Sequence, residues 1–198
     1  MISLQASDFE LFGLPVAFAL DRSQLDLQWK SLQREAHPDR FASEGAASQR
    51  VAMQWSVRIN EAYNRLKDPL KRAAYLCELH GAAVNAENNT SMPPAFLMQQ
   101  MEWREALDDC KALKDTGAKI EALETLLEEV DASHAQALAQ AASLMDADHN
   151  YTAAVGQVRA LMFIEKFAQE VQHGLDACSE ITRGTIRHSR SDRVHWGC

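Results

Sequence analysis

His37, Pro38 and Asp39 stand in a row, and their side chains could either move protons or hold a partner. Histidine titrates near neutral pH, and an ionised aspartate only accepts hydrogen bonds. Two residues apart at a turn, the two could form a general-base pair. No nucleophile motif and no phosphate-binding loop accompanies them, so acid–base catalysis lacks its other participants. The second chemistry is recognition. Pro38 fixes its own φ and would present His37 and Asp39 rigidly on a loop. Lys30, Arg34 and Arg40 put positive charge around that loop, which suits an acidic groove on a protein partner. The third reading is a plain helix-ending turn, because the residue before a proline avoids the α region.

The elements that position this loop are helical. Ser7-Asp8-Phe9-Glu10 forms a capping box, and Gly13 and Pro15 close the short helix after it. Asp21 is an N-cap for a second helix, in which Leu25, Trp29, Leu32 and Ala36 recur at helical spacing. Lys30 and Arg34 lie four apart on its polar face, and His37-Pro38 ends it. A loop of small and polar residues is expected from Asp39 to Ser48. The third helix is expected over 48–67, with Trp55, Ile59, Ala62, Tyr63 and Leu66 as its apolar stripe. These aromatics, together with Trp29, are assigned to the core. Asp68-Pro69 stops that helix and starts a fourth, which ends near Gly81.

Residues 82–93 are polar and turn-rich and read as a linker. Three longer helical segments follow, roughly 94–115, 118–146 and 150–173, and their short connections favour an antiparallel bundle. From Gly174 to Cys198 the pattern breaks, and a disordered or loosely attached tail is expected. The reading is therefore all-α, with an N-terminal four-helix domain at 1–81 containing an antiparallel hairpin, a linker at 82–93, a three-helix bundle at 94–173 and a tail at 174–198.

Composition agrees with helix. Hydrophobic residues make up 46% of the 198, and only 8 Gly and 5 Pro interrupt them. The net charge of −8 is uneven, since residues 81–173 carry 15 acidic against 6 basic side chains. Such a surface repels phosphate backbones, so nucleic acid is excluded as its partner. The four cysteines show no CxxC spacing, which leaves structural zinc and thioredoxin-like redox chemistry without their pattern. Free thiols in a reducing cytoplasm are expected. Neither a signal peptide nor a membrane span is visible, so a cytoplasmic protein without a membrane partner is expected.

The segment 94–115 carries a second candidate surface. On a helical wheel Trp103, Leu107 and Cys110 fall within about 40° of Phe96 and make the core stripe. Met98, Met101 and Glu105 fall on the opposite side, flanked by Leu97 and Glu102. Apolar residues rimmed by charge suggest a protein-binding patch, and methionine adapts to a partner's shape. The alternative is that another helix covers this face. The run Leu161-Met162-Phe163-Ile164 points all around its helix, so at least one of the four is expected outside the bundle core.

The helices around His37-Pro38-Asp39, with Asn60-Glu61-Ala62-Tyr63, Asp68-Pro69 and Lys71-Arg72, resemble the J-domain over residues 7–80. With the acidic bundle and Phe96-Leu97-Met98-Gln99-Gln100-Met101-Glu102-Trp103-Arg104-Glu105, the chain is similar to the HscB family of iron–sulfur co-chaperones over residues 1–173. That resemblance implies two partners, an HscA-type ATPase chaperone of the DnaK class and an IscU-type scaffold protein. It implies that Asp39 engages a donor or cation on the ATPase, with His37, Pro38, Lys30, Arg34 and Arg40 in the same contact. The family often has Lys after the triad's Asp, and Arg40 keeps the charge. Leu97, Met98, Met101, Glu102, Glu105 and Phe163 would hold the scaffold. No activity as an enzyme is implied, since hydrolysis occurs in the partner. No cofactor is expected. Nor is a metal, because the cysteine-rich N-terminal module of some eukaryotic relatives has no counterpart before the J-domain. One rival is a J-protein for a general DnaK-class chaperone with unfolded clients. Another is an enzyme using His37 and Asp39, which would turn over without a partner.

Overall fold

Capping residues start the helices of the computed structural model, which describes residues 5–84, 92 and 94–191. Among these residues every regular element is helical. Ser7 Oγ accepts from the Glu10 N–H at 3.2 Å and Glu10 Oε2 accepts from the Ser7 N–H at 2.8 Å, which opens α1 (Asp8–Leu11). Asp21 accepts from the Ser23 and Gln24 N–H groups and starts α2 (Arg22–Glu35). Asp68 accepts from the Lys71 N–H, with Pro69 as the first residue of α4 (Pro69–Leu79).

The expected loop after His37 is instead a 3-10 helix, Pro38–Glu44. Pro38 at its first position gives up no bond, since that N–H would be unpaired in any helix. Gly45, at φ +94, then turns the chain into α3 (Ala46–Lys67).

Phe9, Phe12, Leu25, Ile59, Leu66 and Leu76 form the fully buried centre of these helices. Each such side chain stabilises by about 2 kcal/mol relative to exposure. Asp8 is buried with them. It pairs with Arg58 at 2.7 Å and Arg65 at 2.9 Å, both on α3. The assignment of Trp29, Trp55 and Tyr63 to the core needs correction, because all three are half-buried. Trp29 and Tyr63 stack on each other at 4.6 Å. Their indole N–H and hydroxyl reach polar partners at the surface, which a closed core would deny them. Trp55 lines an apolar groove of about 670 Å³ with Leu11, Leu32, Phe41, Val51 and Ile59.

The chain divides into two compact units, and the first is discontinuous: it joins residues 1–85 to Leu138–Val158. Sequence reading had placed 138–158 wholly in the bundle. Within this unit a π-helical turn, Ser143–Ala147, carries Asp146, whose two oxygens accept from the Phe18 and Ala19 N–H groups at 2.7 Å each. His80, just after α4, stacks on Tyr151 at 3.6 Å, and the buried Cys77 thiol faces the Tyr151 carbonyl at 3.7 Å.

The second unit takes residues 86–137 and 159–198. Its helices are α5 (Pro94–Ala112) and the adjoining parts of α6 (Thr116–Ala142) and α7 (Tyr151–Ser191). Phe96, Trp103, Leu107 and Cys110 of α5 are buried, as the wheel requires. Leu123, Leu126 and Val130 of α6 and Leu161, Ile164, Phe167 and Val171 of α7 are buried in the same unit, where Trp103 stacks on Phe167. The expected break at Gly174 does not occur, and α7 continues to Ser191. Phe167, Val171, Gly174 and Cys178 are spaced four, three and four apart, so the apolar stripe runs on past residue 173. A Cβ at Gly174 would meet Leu123 at 3.4 Å, an ordinary van der Waals contact, so the packing there accepts glycine without requiring it. Most of the expected linker, 85–91 and 93, and the last residues, 192–198, lie outside the described residues. Among the described residues no helix is long and apolar enough to cross a membrane.

Candidate functional site

Two sites were expected, and each lies within one unit. The first is the turn between α2 and α3. His37 is the N-cap of the 3-10 helix, extended at φ −63° and ψ 125°. The ring is held by a local bond in which its Nδ1 accepts from the Asp39 N–H at 3.3 Å. Nδ1 is also 3.6 Å from Asp39 Oδ2, an ion pair when the ring is protonated. Both side chains remain open to solvent, at 58% for His37 and 90% for Asp39. The Asp39 carboxylate thus keeps free acceptor capacity for a donor from outside.

Lys30, Arg34 and Arg40 are exposed around this turn. Arg34 Nε donates to the Lys30 carbonyl, and Arg40 Nη1 donates to the Arg34 carbonyl at 3.3 Å. Gln33, Arg34, His37 and Arg40 line a surface recess of about 440 Å³. The arrangement is a cationic rim beside an exposed carboxylate. Its exposed cations and carboxylate are groups that can serve recognition of a partner.

The second site is the outward face of α5. Leu97, Met98 and Met101 are 46%, 65% and 66% exposed, and Glu102 and Glu105 are exposed beside them. Among the described residues no helix of the unit buries this face. Phe163 of α7 is half-buried and meets Phe96 edge-on at 5.8 Å, at the margin of the patch. Met162 beside it is also exposed, at 36%. The side chains are fixed from beneath: Trp103 stacks on Phe167 at 5.5 Å, and the Arg104 guanidinium lies over Phe163 at 5.9 Å. Arg104 is held by Glu170 at 2.9 Å, which also takes Lys111 at 3.2 Å. Burial raises the Glu170 pKa, but Lys111 and Arg104 outweigh it and leave the carboxyl below its ordinary value. Sequence reading named six residues of this surface and missed the Arg104–Glu170–Lys111 brace, because Glu170 comes from a helix 59 residues after Lys111.

Residues 92–172 match the family model described as the HSCB C-terminal oligomerisation domain. The co-chaperone protein HscB homolog of Burkholderia thailandensis is 52% identical over 171 residues, which cover 86% of this chain and 95% of that one. The homolog of Paraburkholderia xenovorans is 50% identical with the same coverage. Among solved structures, chaperone HscB from Vibrio cholerae superposes with a TM-score of 0.74 at 39% identity, covering 87% of this chain and 99% of that one. Human co-chaperone protein HscB shares the fold, with a TM-score of 0.76 at 22% identity over 86% of this chain and 83% of its own. With half of the 171 aligned residues identical to such relatives over almost their whole length, the chain belongs to the HscB co-chaperone family.

Proposed function

We propose that this chain holds an IscU-type iron–sulfur scaffold protein on the α5 patch, brings it to an HscA-type chaperone of the DnaK class and stimulates ATP hydrolysis there through the His37–Asp39 turn. The observation that carries this reading is the split of α5. One face is core, and the other exposes Met98 and Met101 at 65% and 66% among acidic side chains. A small adaptable apolar patch with an acidic rim fits one folded partner with apolar and basic residues. The turn works without bond-breaking. The co-chaperone needs only to bind one conformational state of the ATPase more tightly than the other, which shifts the partner toward hydrolysis. Lys30, Arg34 and Arg40 steer the approach to an acidic groove, and Asp39 supplies the acceptor. The chain itself is then an adaptor, not an enzyme, and it works in the cytoplasm, where maturation of iron–sulfur proteins follows.

The test is single-turnover ATP hydrolysis by a purified HscA-type chaperone, with and without this protein and the scaffold. Stimulation that grows synergistically with the scaffold is expected. Stimulation without any scaffold effect would leave a general J-protein, and no stimulation in either condition would remove the proposal. His37→Gln is expected to abolish stimulation while leaving the fold and scaffold binding unchanged.

A further inference from the structure

The turn that carries His37 has a weak hold on its own backbone. Ala36 ends α2, and its N–H still donates to the Leu32 carbonyl at 2.9 Å. Its carbonyl loses the helical donor it would otherwise have. Pro38 has no N–H, the Asp39 N–H goes to the His37 ring, and the Arg40 N–H turns back to the His37 carbonyl at 3.1 Å. The Ala36 carbonyl is instead reached from the neighbouring helix, where Ser56 Oγ of α3 donates to it at 2.9 Å. The serine is itself fixed. Gln33 Nε2 of α2 donates to the Ser56 carbonyl at 3.3 Å and to Asn60 Oδ1 at 2.7 Å. Asn60 Oδ1 also takes the Trp29 indole N–H at 3.0 Å. The residue directly before His37 is therefore hooked across to α3 at the end of a chain of side-chain bonds that joins the two helices.

We infer that Ser56 is a positioning residue for the His37–Asp39 turn: its hydroxyl, by holding the Ala36 carbonyl, fixes the angle at which His37 and Asp39 are presented to the ATPase partner. The inference rests on the proposed stimulation of that partner and adds a residue to it that touches no partner. Without the hydroxyl, the last turn of α2 is free to fray, and the exposed turn beyond it loses its fixed direction. The charged side chains of α2 stay in place, so encounter with the partner survives. What falls is the discrimination between partner states that drives hydrolysis.

The test compares full-length wild type, Ser56→Ala and Ser56→Thr. Two quantities are read with an HscA-type chaperone: the maximal stimulation of ATP hydrolysis and the concentration that gives half of it. Ser56→Ala is expected to lower the maximum about fivefold, the size of effect one net hydrogen bond supports, with the half-maximal concentration nearly unchanged. Ser56→Thr, which keeps the hydroxyl, is expected to restore it. Amide exchange of Ala36 and Arg40 in the isolated protein is read in parallel, with faster exchange expected in Ser56→Ala alone. Full stimulation by Ser56→Ala, or equal loss in Ser56→Ala and Ser56→Thr, would overturn the inference. A wild type that stimulates no chaperone would instead defeat the proposed function, and the exchange rates would then decide the role of Ser56 by themselves. Unchanged exchange in Ser56→Ala would overturn it there too.

Discussion

Asp8 shows how far apart the makers of one contact can be. Its carboxylate has no exposed surface and sits between Arg58 and Arg65, while its backbone N–H donates to the Tyr75 hydroxyl at 2.9 Å. Removing it leaves two guanidinium groups facing a void, so Asp8→Ala is expected to cost about 3 kcal/mol in urea unfolding, toward the lower end for a broken buried pair because both arginines are partly wetted. Asp8 was legible only as a residue of a capping box. Its arginine partners are 50 and 57 residues away, and no local pattern announces them. His37, Pro38 and Asp39 were legible because proline fixes a backbone angle wherever it stands. Cys77 gives a second expectation. Burial, then the neighbouring Glu78, pushes its thiol up to about 11. It is a protonated, buried thiol at neutral pH, and its alkylation by iodoacetamide in the native protein is expected to run about two orders of magnitude slower than in the urea-unfolded chain. Peptide mass spectrometry of the native and unfolded samples checks this.

Helix α5 has one buried face and one exposed face, so the proposed binding role and stability can be tested apart. Met98→Ala with Met101→Ala removes only exposed side chains and is expected to change unfolding free energy by less than about 0.5 kcal/mol. The same pair is expected to weaken scaffold binding about thirtyfold or more, as loss of central interface anchors does. Undiminished affinity by calorimetry would show that the patch serves something else. The brace on the same helix gives a pH dependence. The Glu170 carboxyl is held below its ordinary value, so the stability it lends the second unit is present above the unfolded value and is lost as pH falls through the folded one. Glu170→Gln is expected to flatten the acid limb of that unit's stability, followed by circular dichroism between about pH 5 and pH 2. The α5 faces were legible because a wheel needs only 3.6 residues per turn. The course of α7 was not. Gly174 reads locally as a helix stop, but the buried stripe of Phe167, Val171 and Cys178 carries the helix past it.

The division of the molecule was the least legible feature. The gap expected between the helical segments 118–146 and 150–173 has a local cause, since His149 adopts φ +49 and Asn150 accepts from the Ala153 N–H to start α7. That the same break belongs with the N-terminal helices depends on Asp146 meeting Phe18 and Ala19, 128 and 127 residues earlier. Asp146→Ala leaves those two N–H groups without their acceptor and is expected to destabilise the first unit by about 2 kcal/mol. A fragment ending at residue 84 is expected to unfold at lower urea than the same helices in the full chain, because it lacks every contact from 138–158.

A discontinuous first unit also sets an order in time. A ribosome makes the His37–Asp39 turn early, but residues 138–158 begin only after about 100 further residues and are complete after about 120, some 6–24 s later at ordinary translation speeds. During that interval the nascent chain has the turn without the segment that completes its unit. On the proposed function, a chaperone met at that moment would find the turn on a loosened support, so full competence would arrive only when synthesis has passed Val158. By then the whole of α5 and its methionine face has already been made.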